Sequence, residues 1–218
     1  MKSEERKAWE RKQRETRIID IAQTVIFEKG YEQATIIEIA KAAGYTKRSI
    51  YLYFKDKEDI FLAIVLRGLT LLTEMLESAY FGQKETARGL DAMGNAFYEF
   101  FMQHPEYLSL IMTYEANTCI YYKELKPEIV EGYYKNECQK QTDLMAEIMT
   151  RAITMEIDKG AIKTDLSSTQ LMLILWAQVF GIMQVILMRK KHFKDAFGID
   201  YKDLFEAFQS IVSKGISG

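Results

Sequence analysis

The sequence predicts a nearly all-α fold of about nine helices, with a three-helix head at the N-terminus and a larger helical body behind it. Two observations carry that reading. Only two prolines interrupt 218 residues, 48% of them apolar, and the apolar positions recur at helical spacing rather than alternating. Helix start and stop signals also come in pairs, as in Thr35-x-x-Glu38 followed by Gly44. Charge divides along the same line. Residues 1–57 carry 13 Lys/Arg against 9 Asp/Glu, and residues 58–218 carry 16 against 22. A basic head on an acidic body fits contact with a polyanion confined to one end.

Residues 3–16 mix charges of both signs around Trp9 and read as a solvated, frayed extension of the first helix. The alternative is an arm whose Arg6, Lys7, Arg11, Lys12 or Arg14 reaches DNA phosphate or the minor groove. Helix one proper runs about 15–29, with Ile18, Ala22, Val25 and Ile26 on one face, and Gly30 ends it. The capping box then starts helix two at Ile36. Ile36, Ile39, Ala40 and Ala43 form its apolar face, and Gly44 can take the left-handed conformation at its end. Thr46 offers the next N-cap. In helix three, 46–53, Ile50 and the following Phe54 anchor inward, while Lys47, Arg48, Ser49, Tyr51 and Tyr53 lie mostly off that stripe. This is a helix-turn-helix whose second helix turns its polar residues outward, which suits the major groove and its phosphate walls. Asp56 caps helix four, with Glu58 and Asp59 favouring the macrodipole. Lys57 is unusual among those acids, which makes a phosphate contact plausible. Ile60, Phe61, Ile64, Val65, Leu69, Leu72 and Leu76 carry the helix to about Gly82.

The head resembles the DNA-binding region of the TetR (tetracycline-repressor-like) transcriptional regulators. The match spans roughly residues 17–61: Ile18 and Ala22, Phe27, Gly30-Tyr31, Thr35, Ile39-Ala40, Ala43-Gly44, Ile50-Tyr51, Phe54, Lys57 and Ile60. It departs at Tyr45, usually aliphatic in the family, and at Arg48, usually small, so no operator sequence carries over. The resemblance implies a cytoplasmic, homodimeric, ligand-responsive regulator with no cofactor. It would be a repressor released from a palindromic operator in double-stranded DNA by a small apolar or aromatic effector, and not an enzyme. The DNA-binding set is then Thr35, Thr46, Lys47, Arg48, Ser49, Tyr51, Tyr53 and Lys57. Lys47 and Arg48 are the candidates for base or nearby phosphate contact, since arginine pairs well with guanine edges. Thr35, Tyr51, Tyr53 and Lys57 are the phosphate contacts, the family using a lysine at the last position for that purpose. The division is a DNA-binding domain over 1–56 and a ligand-binding and dimerisation domain over 57–218. Two rival readings are a DNA-binding regulator or architectural protein without an effector, and a helical binding protein or enzyme with a vestigial head.

In the body, residues 86–103 read as an amphipathic helix, and Pro105 opens the next, which holds Tyr107, Leu108, Leu110, Ile111 and Met112. Asn117–Lys126 reads as an irregular connection. Pro127 opens a long helix to about Asp158, closed by Gly160, and Ser167-x-x-Gln170 gives a second capping-box spacing before a helix over 168–191. The last helix spans 201–214. Helix 168–191 is apolar nearly all round and the last helix adds a broad apolar stripe, so both need a second surface beyond the domain's own core. A twofold dimer joined through 168–191 and 201–214 in a four-helix bundle supplies it, and the family builds its dimers that way. The apolar run Leu171–Leu187 contains Gln178, Gly181 and Gln184 and reads as a buried helix rather than a membrane span.

Phe97, Phe101, Tyr107, Met112, Trp176, Phe180 and Met183 could fill an ordinary core or line a cavity for an apolar or aromatic ligand. The resemblance favours the cavity, with Tyr114, Glu115, Asn117, Tyr121 and Gln178 as polar groups that could orient a ligand. Cys119 and Cys138 do not form a metal-ligand spacing, and His104 and His192 are far apart in sequence. Two reduced, inert cysteines are expected, a thiol sensor being the alternative. No Gly-rich phosphate loop, nucleophile elbow or paired histidine motif is present, so neither a metal nor a catalytic constellation is expected. The N-terminus lacks the apolar core of a signal peptide.

Overall fold

A computed structural model describes residues 3–82, 89–122, 132–189 and 192–217. The described residues form ten helices: α1 (Ser3–Lys29), α2 (Ile36–Ala43), α3 (Lys47–Ile50), α4 (Lys57–Phe81), α5 (Gly89–Gln103), α6 (Pro105–Tyr122), α7 (Tyr133–Asp158), α8 (Ser168–Arg189), α9 (Phe193–Phe197) and α10 (Tyr201–Ser217). The described residues include no strand. The helix beyond the expected nine is α9, a single turn closed by Gly198 at φ 68°.

Three boundaries differ from expectation. The first helix is continuous from Ser3, so the charged extension is helical rather than frayed. Helix three is shorter than 46–53: its α-helical part is Lys47–Ile50, and a turn continues through Tyr53. Residues 117–122 are not an irregular connection but the end of α6. No proline or glycine breaks this stretch, and Asn117 donates its side-chain amide to the carbonyl of Thr113 at 2.9 Å, so the helical ladder persists without apolar periodicity. The expected start of α7 at Pro127 lies outside the described residues, as do residues 86–88 and 190–191.

The chain forms two compact units. The first comprises Met1–Leu69 with Thr113–Gln139. Its core holds Ile18, Ala22, Ile26, Ile39, Ala40, Ala43, Ile50 and Phe54, the inward positions that helical spacing picks out, together with Ile60, Ile64, Tyr134 and Cys138. Tyr134 lies near-parallel to Phe54, ring centroids 6.0 Å apart, and its hydroxyl donates to the Glu15 carboxylate. Cys138 Sγ donates to the Leu62 carbonyl at 3.3 Å; burial pushes this thiol up to about 12, so it stays protonated and inert. The Cys119 side chain lies outside the described residues.

The second unit comprises Thr70–Met112 with Lys140–Gly218. Met93, Phe97, Phe100 and Phe101 of α5 are buried, and α5 packs on α10 through Tyr98 stacked on Phe205, centroids 4.8 Å apart. The Tyr80 hydroxyl donates to Glu156 at 2.8 Å, and Lys159 pairs with the same carboxylate at 3.2 Å, which satisfies this buried acid. The second capping box forms as expected: Ser167 Oγ accepts from Gln170 N at 3.2 Å, and Gln170 Oε1 accepts from Ser167 N at 2.9 Å.

Helix α8 buries Leu171, Met172, Met183 and Ile186 along one side. Its other side leaves Leu173, Ile174, Val185 and Met188 at 56%, 42%, 45% and 70% exposure in the single chain. Ile174, Ala177, Gly181, Gln184 and Met188 are all exposed there and follow one another by alternating steps of three and four, the spacing found along the seam of paired helices. By length and composition α8 would also be able to cross a membrane.

Candidate functional site

The first unit presents one surface built for contact. Thr35 accepts from Glu38 N at 3.2 Å, and the Glu38 carboxylate accepts from Thr35 N at 3.0 Å, completing the capping box of α2. Lys29 donates to the other Glu38 oxygen at 2.6 Å, and these bonds hold that carboxyl below the usual carboxylate range. Gly44, at φ 72°, is left-handed and returns its N–H to the end of α2, which sets the tight turn into α3. Thr46 caps α3 by accepting from Ser49 N at 3.1 Å and shares a 2.9 Å hydroxyl contact with Ser49. Ile50, fully buried, pins the helix from beneath. Lys47 and Arg48 are left exposed on the outer face, Lys47 standing 5.8 Å from the ring centre of the exposed Tyr51.

Two cations have structural roles. Arg11 donates to the Leu52 carbonyl at 2.9 Å and lies 5.2 Å over the Tyr53 ring, so the helical extension of α1 clamps the turn after α3. Lys57 points its ammonium at the α1–α2 loop. It donates to the carbonyls of Tyr31, Ala34 and Glu32 at 2.8, 3.2 and 3.3 Å, and sits 4.3 Å over the Tyr31 ring. An ammonium has three N–H donors, and all three are occupied. Lys57, which the resemblance assigns to phosphate, ties this loop to the start of α4.

The second unit contains an apolar cavity of about 100 Å³ between α5, α7, α8 and α10. Phe97, Trp176, Phe205 and Phe208 supply aromatic wall, and Leu76, Met149, Ile153, Leu175 and Val179 supply much of the rest. Two more polar hollows of about 300 and 260 Å³ adjoin it and share lining residues with it, Asp91 and Ser213 being common to all three.

Residues 18–64 match the profile of bacterial regulatory proteins of the tetR family. The chain is 29% identical over 177 residues to the HTH-type transcriptional repressor BepR of Brucella suis, covering 81% of each protein. It is 45% identical over 60 residues to the fatty acid metabolism regulator protein of Bacillus subtilis, a match spanning 28% of this chain and 31% of that one. The structure of the fatty acid degradation regulator FadR from Bacillus halodurans superposes with a TM-score of 0.65 at 20% identity, covering 92% of this chain and 98% of that one. The chain belongs to the TetR family of bacterial regulatory proteins. It is a DNA-binding regulator and not an enzyme.

For a TetR-family head, the residues singled out by sequence largely share one place: Thr35, Thr46, Lys47, Arg48, Ser49, Tyr51 and Tyr53 lie on α3, its flanking turns or the N-cap of α2. The sequence-picked cavity residues divide. Phe97 and Trp176 line the cavity, and Phe180 is not part of its lining but packs on Trp176, centroids 4.4 Å apart. Phe101 and Met183 are fully buried core, while Tyr107 and Met112 are half-buried on α6; none of these four lines the cavity. The suggested polar residues also lie elsewhere. Tyr114 is buried in the first unit, Glu115 is half-buried with burial raising its carboxyl, Asn117 caps its own helix turn and Gln178 is exposed on α8. The Tyr121 side chain lies outside the described residues. What the sequence reading missed is Asp91, Gln209 and the aromatic pair on α10.

Proposed function

We propose that this chain is a homodimeric repressor that places α3 of each subunit in a major groove of palindromic duplex DNA and is released when a small apolar or aromatic effector enters the second unit. The head supports this most directly: a doubly capped helix-turn-helix that leaves Lys47 and Arg48 uncovered at the outer face of α3. Arg48 would read a guanine edge, and Lys47 a base or the adjacent phosphate. Thr35, Tyr51 and Tyr53 would hold phosphate, which positions without specifying. The functional division would fall at 56/57, a DNA-binding domain over 1–56 and a ligand-binding and dimerisation domain over 57–218, and the protein would act in the cytoplasm, where its DNA is.

The uncovered apolar side of α8 supports the dimer, with α10 as the second helix of the proposed bundle. A seam of mostly small and apolar residues, interrupted by Gln184, at alternating steps of three and four suits a twofold helix pair. The aromatic-walled cavity supports the effector. Binding there would release DNA only through a difference in affinity between the DNA-bound and free states.

Selection of bound sequences from random duplex DNA at two salt concentrations tests the reading. Enrichment of an inverted repeat, with affinity falling steeply as salt rises, is expected. Binding with no enriched sequence would replace it by an architectural role.

A further inference from the structure

We infer that the effector is a cationic amphiphile: an apolar body held in the cavity and a protonated amine at Asp91. The inference rests on the proposed effector role of the second unit and adds the chemical class. Among the described residues that line the cavity, Asp91 alone is charged, and it borders both adjoining hollows as well. Its carboxylate has no hydrogen bond or ion pair among the described residues. A place in the first turn of α5 suits an acid, yet that accounts for its sign and not for its position in an apolar wall. Gln209 uses its amide N–H on Asn95 Oδ1 at 3.1 Å, which leaves its amide oxygen as a second acceptor at the same edge. Gly94 makes this possible, since a Cβ there would stand 2.7 Å from that amide nitrogen. The aromatic wall adds a third preference: ring faces attract cations and disfavour anions. Lys214 borders only the polar hollow that also holds Asn95, not the apolar cavity.

The test uses the full chain with Trp9→Phe, so that Trp176 is the remaining indole and its emission reports the cavity. Three probes share one apolar tail: decylamine, decanol and decanoate, each below its micelle concentration. Decylamine should bind about tenfold more tightly than decanol, as a charge-assisted contact allows, and decanoate more weakly than either. Asp91→Asn should abolish the advantage of decylamine while decanol affinity stays within about twofold, and Asp91→Glu should keep the advantage. Equal or tighter binding of decanoate, or an amine preference that survives Asp91→Asn, overturns the cationic class while leaving the effector reading in place. Failure of all three probes to alter Trp176 emission or thermal stability overturns both.

Discussion

Lys57 is where resemblance and geometry part, and replacing it by methionine separates them. Methionine keeps an unbranched apolar stem but removes the ammonium. Three carbonyls lose their donor, at 2.8, 3.2 and 3.3 Å, and the Tyr31 ring loses a cation 4.3 Å from its centre. A hydrogen bond to a charged group contributes about 1.5–3 kcal/mol when well formed, and an exposed cation–π contact about 0.5–1 kcal/mol. Three effects reduce that sum. Two of the bonds are long, the site is only half-buried, and a lysine at the first position of α4 opposes the helix dipole by about 0.3–1 kcal/mol. The expected net loss is about 1–3 kcal/mol. Urea unfolding should show it as a midpoint lowered by about 1 M at unchanged slope. The salt dependence of DNA binding should keep its slope if the ammonium stays on these carbonyls and neutralises no phosphate. A lysine that held phosphate would give the opposite pair of results: unchanged stability and a salt slope shallower by about 0.9 for each phosphate no longer neutralised. Seeing that pair would refute the structural assignment.

Other perturbations address the remaining parts. Arg48→Ala should lose about 1–3 kcal/mol on the selected operator and relax preference at the position it reads; equal loss on random DNA would reassign it to phosphate. Tyr134→Phe removes the hydroxyl that donates to Glu15, whose side chain is 18% exposed and otherwise has Lys12 at 3.9 Å. It should cost about 1–2 kcal/mol by urea unfolding, and an unchanged midpoint would show that the hydrogen bond contributes nothing. The Glu38 carboxyl, lowered first by Lys29 and then by Thr35, is a group whose folded value lies below its unfolded one. Its stabilisation of α2 is therefore present above the ordinary carboxylate range and lost as pH falls through the lowered value. An NMR titration should place its midpoint below that of a free glutamate, and Lys29→Gln should move it back up. Ile174→Asp on the uncovered side of α8 should leave folding within about 0.5 kcal/mol but convert dimer to monomer in sedimentation; a persistent dimer would place the interface elsewhere.

What could be read from sequence was local. The boxes at Thr35/Glu38 and Ser167/Gln170, the Gly44 turn and the Asp56 cap, which accepts from Asp59 N at 2.9 Å, each lie within a few residues and show in the residue types alone. The apolar faces of α1 and α2 follow from the same short range. The partners of Lys57 do not, because its carbonyls sit 23 to 26 residues earlier and only the folded loop brings them under α4. The cavity shows an intermediate case. Aromatic content pointed to α5 and α8, which do supply Phe97 and Trp176, but the opposing wall comes from Phe205 and Phe208 of α10, whose participation depends on how α5 and α10 pack. Residues 117–122 failed in the other direction: without periodicity they read as a connection, though absence of a breaker was the better signal.

Helix α8 shows why composition says more about assembly than about the fold of one chain. An apolar residue reports that some surface should cover it, not whose surface. Along α8 the total is high enough to suggest burial all round, yet the single chain buries Met183 and Ile186 while leaving Ile174 and Met188 open. An uncovered Met at 70% exposure has no packing reason within its own unit. Gly181, exposed and with nothing within 4 Å of an added Cβ, has no internal packing reason either. A glycine in mid-helix costs about 1 kcal/mol against alanine. In the proposed dimer that cost would be offset, since a partner helix lying across this position would need the backbone close.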